Sequence, residues 1–347
     1  MVAETWSLEA RVLKMPLAER FTIARETWDV ATSVFAVVRY GDAEGYGECS
    51  PDAHWGETPE GTVEQLHALD LSQLHGPFDL EGPGTLLPAG SARCVLDVAL
   101  HDLAGKLAGL PLRLLLGVGE APLPQTSVTV PIADVETMRK RAASFADHPV
   151  VKTKVGFDGD VDAIAAIREV FGGRLRVDAN EGWTEQQAID RLAQLERFDV
   201  ELCEQPIPNH RHDVLRRVTQ ASPIPVYADE DAGTSADVAA LAGVVDGVNL
   251  KLRKAGGIRE TWRAIATARA HGMGVMLGCD LDSGIAMSAA AALAPLCDFI
   301  DLDGPLLLAK DPHPAVGYDR GELIVPAGAG LGVETRPWPV ASASGRG

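Results

Sequence analysis

Basic residues are scarce in this chain. Lysine and arginine together number 31 against 49 aspartates and glutamates, a formal net charge of −18 over 347 residues. A surface that acidic repels polyphosphate and anionic lipid, so nucleic acid and membrane are excluded as partners. An anionic substrate is not excluded, because a bound cation can set the potential inside a pocket. Long apolar runs are also missing. No stretch reaches the roughly 18 residues needed to span a bilayer, although hydrophobic residues make up 46% of the chain. Cysteines are few and scattered (Cys49, Cys94, Cys203, Cys279 and Cys297), odd in number and without a CxxC pair. A disulfide framework and a zinc knuckle are both excluded on that count. Met1 to Arg11 is acidic and lacks the basic and apolar blocks of a secretory leader, so a cytoplasmic location is expected. No sequence repeat is present, which removes a solenoid.

What is present divides in two. The first part reads as strands followed by helices. FAVVRY at Phe35–Tyr40 is β-rich, Gly41-Asp42 begins a turn, and ARCVLDVALHDLAGKL at Ala92–Leu107 has apolar residues at helical spacing, ended by Gly109 and Pro111. This predicts an α+β capping domain over 1–122. From Pro124 on, short apolar runs alternate with helical segments. Eight strands are predicted: Thr126–Pro131, Val150–Val155, Leu175–Val177, Val200–Cys203, Val226–Ala228, Gly247–Leu250, Gly274–Leu277 and Phe299–Asp301. Their spacing is that of a parallel α/β barrel, a modified TIM barrel of the (β/α)7β type over 123–325. Residues 326–347 are expected to return to the capping domain and to end in a frayed tail, PWPVASASGRG.

The informative residues stand at the C-terminal end of each strand. In such a barrel these ends converge on one mouth, where active sites sit. Here they carry Lys152 and Lys154, then Asp178, Glu204, Asp229, Lys251, Asp280 with Asp282, and Asp301 with Asp303. Asp178, Glu204 and Asp229 fall on three consecutive strands. Three carboxylates that close repel one another, and a hard cation such as Mg²⁺ removes the conflict. Lys152 and Lys154 alternate by two and share a face. Lys251 comes from across the mouth. Burial beside other cations is expected to lower these lysines towards useful bases. Lys154 and Lys251 on opposite faces of a carbon next to a carboxylate could remove a proton from one side and return it on the other. The resulting enediolate needs positive charge on its oxygens.

KTK at Lys152–Lys154, VDANEGW from Val177, EQP from Glu204, ADE from Ala228, NLKLRKAGGI from Asn249 and DLDGP from Asp301 together resemble the muconate-lactonizing subgroup of the enolase superfamily. Within it they are similar to dipeptide epimerases of the L-Ala-D/L-Glu type, and the match spans nearly the whole chain. The resemblance implies one Mg²⁺ held by Asp178, Glu204 and Asp229, acid/base roles for Lys154 and Lys251, and electrostatic help from Lys152. It implies that Asp301 and Asp303 hold the dipeptide's ammonium. It further implies that Arg25, ending FTIAR, meets a glutamate side chain, that GECSPDAHWGE from Gly47 closes over the mouth, and that the chain forms a homo-oligomer. Asp280 and Asp282 depart from what the resemblance leads one to expect. They are candidate substrate contacts favouring a cationic group, or else partners of Lys251 or a helix cap. A cycloisomerase or o-succinylbenzoate synthase, an epimerase for dipeptides other than those ending in glutamate, and a silent metal-binding barrel are the alternatives.

Overall fold

The computed structural model describes residues 5–333. The chain opens with a three-stranded antiparallel sheet of β1 (Trp6–Thr22), β2 (Thr27–Tyr40) and β3 (Ala43–Cys49). The predicted Phe35–Tyr40 strand is the end of the longer β2. The turn at Gly41, with φ of 58°, delivers the chain into β3. Helices α1 (Pro59–His67), α2 (Gly82–Leu86), α3 (Ser91–Ala108) and α4 (Leu112–Leu115) come next. Helix α3 lies directly on β3 because Gly45 and Gly47 have no side chains. A Cβ on either would come within 2.0 Å of a carbonyl oxygen of α3, at Ala99 and Val95 respectively.

Eight parallel strands then form one sheet in strict chain order: β4 (Val128–Val130), β5 (Val150–Lys154), β6 (Arg174–Asp178), β7 (Val200–Glu204), β8 (Val226–Ala228), β9 (Gly247–Leu250), β10 (Gly274–Gly278) and β11 (Phe299–Asp301). Between them run α5 (Val135–Ser144), α6 (Asp160–Val170), α7 (Glu185–Leu195), α8 (His212–Ala221), α9 (Ser235–Ala240), the one-turn α10 (Leu252–Ala255), α11 (Ile258–Ala270) and α12 (Gly284–Ala291). The first strand is shorter than the sequence suggests. Thr126 instead bridges Ile300, and Ser127 N–H donates to the Ile300 carbonyl at 3.3 Å, which closes the ring of strands. Most strand residues are buried, one face inside the ring and one under helices, and in β5, β6 and β7 that includes charged ones such as Lys152, Arg176 and Glu204. Among the described residues no helix is long and apolar enough to cross a membrane.

Two carboxylates join the parts. Asp102 of α3 accepts from Tyr46 N–H and from Leu331 N–H, each at 2.8 Å, so the chain at Leu331 lies against α3. Pro337–Gly347, expected to fray, lies outside the described residues. Glu48 of β3 reaches into the barrel and caps α12, accepting from Ser283 N–H at 2.8 Å and Oγ–H at 2.5 Å. Burial, with Asp282 adding repulsion, pushes the Glu48 carboxyl from 4.5 up to about 8. The folded state therefore holds a proton that the unfolded chain releases near 4.5. That contribution to stability is full below pH 4.5 and is lost as pH rises through about 8. Glu48→Gln is expected to lose less stability between pH 5 and pH 8 than the parent chain, as denaturant midpoints measured at the two pH values would report. Parallel losses in both proteins would show that Glu48 does not titrate in this window.

Candidate active site

The mouth of the barrel is built by register. Lys154 pairs with Asp178 across β5 and β6, and Asp178 pairs with Glu204 across β6 and β7, so three strands end level. Alternation along β5 puts Lys152 and Lys154 on one face with Thr153 on the other. The Lys152 ammonium lies 2.8 Å from Glu204 Oε2, 2.8 Å from Asp301 Oδ2 and 3.1 Å from Asp178 Oδ2. Lys154 Nζ donates to Asp178 Oδ2 at 2.6 Å. Across the ring, Lys251 Nζ is 3.0 Å from Asp229 Oδ2 and 3.6 Å from Asp280 Oδ1. A fourth ammonium, Lys254 on α10, lies 2.5 Å from Asp229 Oδ1 and also donates to the Asn249 carbonyl. Asn249 Nδ2 donates to Glu204 Oε1 at 2.8 Å.

These contacts set the electrostatics. Burial alone would pull Lys152 and Lys251 down. It is outweighed by Asp301, Glu204 and Asp178 around Lys152, and by Asp229 and Asp280 around Lys251, so both stand well above the ordinary ammonium value. Each of the two meets carboxylates directly here, and that attraction exceeds the cost of burial. The lysine that is lowered is Lys254, through burial. Burial and the nearby Asp178 charge push Glu204 up to about 8. Asp178 and Asp229 stay well below the usual range despite burial, because lysines sit on them.

Do these acids suit a metal? Among the described residues no three His, Cys, Asp or Glu side chains already converge as a cage, since the four ammoniums sit between the carboxylates. The donor set itself fits a hard divalent cation. It offers three buried carboxylates at adjacent strand ends, and the middle one, Glu204, is pushed up by burial and the Asp178 charge, a strain that a bound cation would relieve. Its Oε2 makes no aligned hydrogen bond.

A cavity of about 350 Å³ opens above this layer. Lys152, Lys154, Asp229, Lys251, Asp280, Asp301, Asp303 and Arg25 all line it, while Asp178 and Glu204 lie beneath the lysines. Asp301 accepts from Ser127 Oγ at 2.5 Å and Asp303 accepts from Thr129 N–H at 2.7 Å. Burial beside Asp301 raises the Asp303 carboxyl to about 7. Arg25 sits in the tight turn between β1 and β2, closed by Ile23 N–H to the Glu26 carbonyl. Its Nη1 donates to Glu230 Oε1 at 2.7 Å and to the Asn180 carbonyl at 3.2 Å. The rest of the roof comes from Phe21, Ile23, Trp28 and Val30 of the first hairpin and from residues 50–59.

The two acids after β10 take different places. Both Asp280 oxygens are committed, one facing Lys251 and the other accepting from Arg253 Nε at 2.7 Å. Asp282 does not line this cavity. It turns back towards Glu48 and Cys94, because Asp282 N–H closes onto the Asp280 carbonyl and ends the strand's alternation. Sequence reasoning does not single out Lys254, Arg253, Glu230, Asn180 or Thr129. The first four stand inside motifs already noted, one to three residues from an identified acid or lysine.

Residues 7–117 match the family model "Mandelate racemase / muconate lactonizing enzyme, N-terminal domain", and residues 134–338 match "Enolase C-terminal domain-like". The L-Ala-D/L-Glu epimerase of Bacteroides thetaiotaomicron is 36% identical over 327 residues, covering 92% of this chain and 85% of that one. The hydrophobic dipeptide epimerase of Roseobacter litoralis is 34% identical, covering 90% and 94%. Among solved structures, the dipeptide epimerase of Enterococcus faecalis, complexed with Mg and L-Leu-L-Tyr, superposes with a TM-score of 0.90 at 31% identity, covering 94% and 99%.

Proposed function

The chain belongs to the enolase superfamily, and from that premise we propose that it inverts the α-carbon of the C-terminal residue of a dipeptide by two-lysine proton transfer. As an isomerase of dipeptides it shares the activity named for its relatives. One observation carries the mechanism. Lys154 and Lys251 leave the second and sixth of eight strands, opposite positions on the ring, and both line one cavity. The uncharged amine of one takes the α-proton, and the bonding pair moves into the substrate carboxylate as an enediolate. The ammonium of the other returns a proton to the opposite face. Mg²⁺ is the cofactor, and Asp178, Glu204 and Asp229 would hold it; bound there, it would supply positive charge to the substrate carboxylate. Lys152, ringed by three acids, stays charged and contributes a fixed positive potential at the cavity wall. Asp301 and Asp303 suit the dipeptide's ammonium.

For the side chain, Arg25 favours a C-terminal glutamate, so L-Ala-L-Glu is the proposed substrate. A second reading rests on the same corner. Glu230 already pairs with Arg25, and Phe21, Ile23, Trp28 and Val30 surround it, which suits an apolar side chain. The deciding experiment is incubation with Mg²⁺ and a dipeptide panel in D₂O, reading α-deuterium by mass spectrometry. Exchange in the C-terminal residue of dipeptides supports epimerisation, and no exchange with any dipeptide would overturn it. Arg25→Met then separates the readings. Loss of a charge-assisted pair worth ~1.5–3 kcal/mol is expected to lower kcat/KM for L-Ala-L-Glu by roughly 10- to 150-fold, with apolar dipeptides little changed. Equal loss on both classes would remove Arg25 from side-chain recognition.

A further inference from the structure

Arg253 is a buried cation that the proposed chemistry does not use. It stands on α10, two residues after Lys251, and is only 4% exposed. On the barrel side its Nε donates to Asp280 Oδ2 at 2.7 Å. Its other charged and ring partners lie in the capping loop. Nη2 is 3.6 Å from Asp52, Nη1 is 3.5 Å from Glu57, and the guanidinium carbon lies 5.5 Å from the centre of the Trp55 ring. Those loop residues line the cavity together with Lys251. We propose that Arg253 is a positioning residue, a latch fixed to the barrel through Asp280 that holds the loop 50–59 over the Lys251 side of the cavity.

The asymmetry of the contacts supports this. The bond to Asp280 is short and aligned, whereas the pairs to Asp52 and Glu57 are long. A guanidinium so placed keeps its seat in the barrel while the loop side loosens or tightens. A buried charge cannot be left unpaired cheaply, so lifting the loop off the seated cation is costly, and that cost holds the loop down. Glu57 is itself anchored, accepting from Ser91 N–H at 2.7 Å and Ser91 Oγ at 2.5 Å at the start of α3. Arg93, two residues further on, donates to the Gly256 carbonyl at 3.0 Å just past α10. The latch therefore closes a path from the capping helix to the strand end that carries Lys251. Asp280 faces Lys251 with its second oxygen, so one carboxylate positions both the latch and the lysine.

The test is hydrogen exchange at Trp55, Gly56 and Glu57. Their N–H groups are bonded to Asp52 and Ala53 carbonyls within the loop and so report its opening. It needs no substrate, so it stands or falls apart from the epimerase reading. Two variants approach the latch from opposite sides: Arg253→Met removes the cation, and Asp52→Asn weakens its loop partner without touching the barrel. Both are expected to speed exchange at these amides about tenfold, the effect of ~1.4 kcal/mol, with exchange in α5 to α9 unchanged. KM for an accepted dipeptide should rise more than kcat falls. Unchanged exchange in the Asp52 variant, or faster exchange throughout the barrel in the Arg253 variant, would make Arg253 a structural charge and overturn the latch.

Discussion

Lys154→Ala and Lys251→Ala are each expected to lower epimerisation by about 10³-fold, within the range that a positioned acid or base contributes. The more telling result is what survives. Two bases on opposite faces serve opposite epimers. Removing one should leave solvent exchange of a single epimer while abolishing inversion, and removing the other should leave exchange of its mirror partner. That complementary pattern is the consequence of two lysines entering one cavity from opposite strands. Inversion retained in both variants would sink the two-base reading. Loss of all exchange in both would mean that one lysine acts only by its charge. Lys152→Ala should differ again. Its ammonium touches Asp178, Glu204 and Asp301 together, so removal leaves buried acids unpaired, and the folded protein should lose stability as well as activity.

Chelation is the second large effect. Stripping the protein with EDTA is expected to reduce turnover by roughly 10³-fold or more, corresponding to several kcal/mol of charge stabilisation lost as the α-proton leaves. Restored Mg²⁺ should recover activity and raise the melting temperature, since a ligand at 100 times its Kd adds about 2.7 kcal/mol to the native state. Asp178→Asn should blunt the melting shift and the activity together. A full melting shift in that variant would place the metal on other residues. The shift also distinguishes a protein that binds metal without turnover from one that does neither.

Much of this site is readable from the chain because it lies at strand ends. A short apolar run that stops at Asp178, Glu204 or Asp229 announces both the strand and the direction of the acid. Parallel strands in chain order then make consecutive acids neighbours. The legibility fails where the chain leaves the strand. Asp280 and Asp282 look equivalent in sequence, yet a turn sends one to the cavity and the other to Glu48. Arg253 and Lys254 sit on a single helical turn, whose facing is decided by packing against the capping domain and not by periodicity. The strand β1 is harder still. Over seventeen residues it carries Glu9, Arg11, Lys14, Glu19 and Arg20, because it is an edge strand with a solvated face, and Pro16 interrupts its pattern. Which acids touch each ammonium, such as Asp229 and Asp280 on Lys251, is not legible from the chain, because it depends on side chains meeting across the ring.

The closing seam of the ring has one more implication. Asp301 and Asp303 face the cavity, and they also bind Ser127 and Thr129 beside the place where the last strand meets the first. On the proposed reading, the same two side chains would serve as recognition element and as clasp. Mutating either one is thus a confounded probe, since a poor reaction could reflect an ammonium without a host or a hoop that has slipped. Only an assay of shape run beside the assay of rate, such as near-ultraviolet dichroism, would tell one from the other.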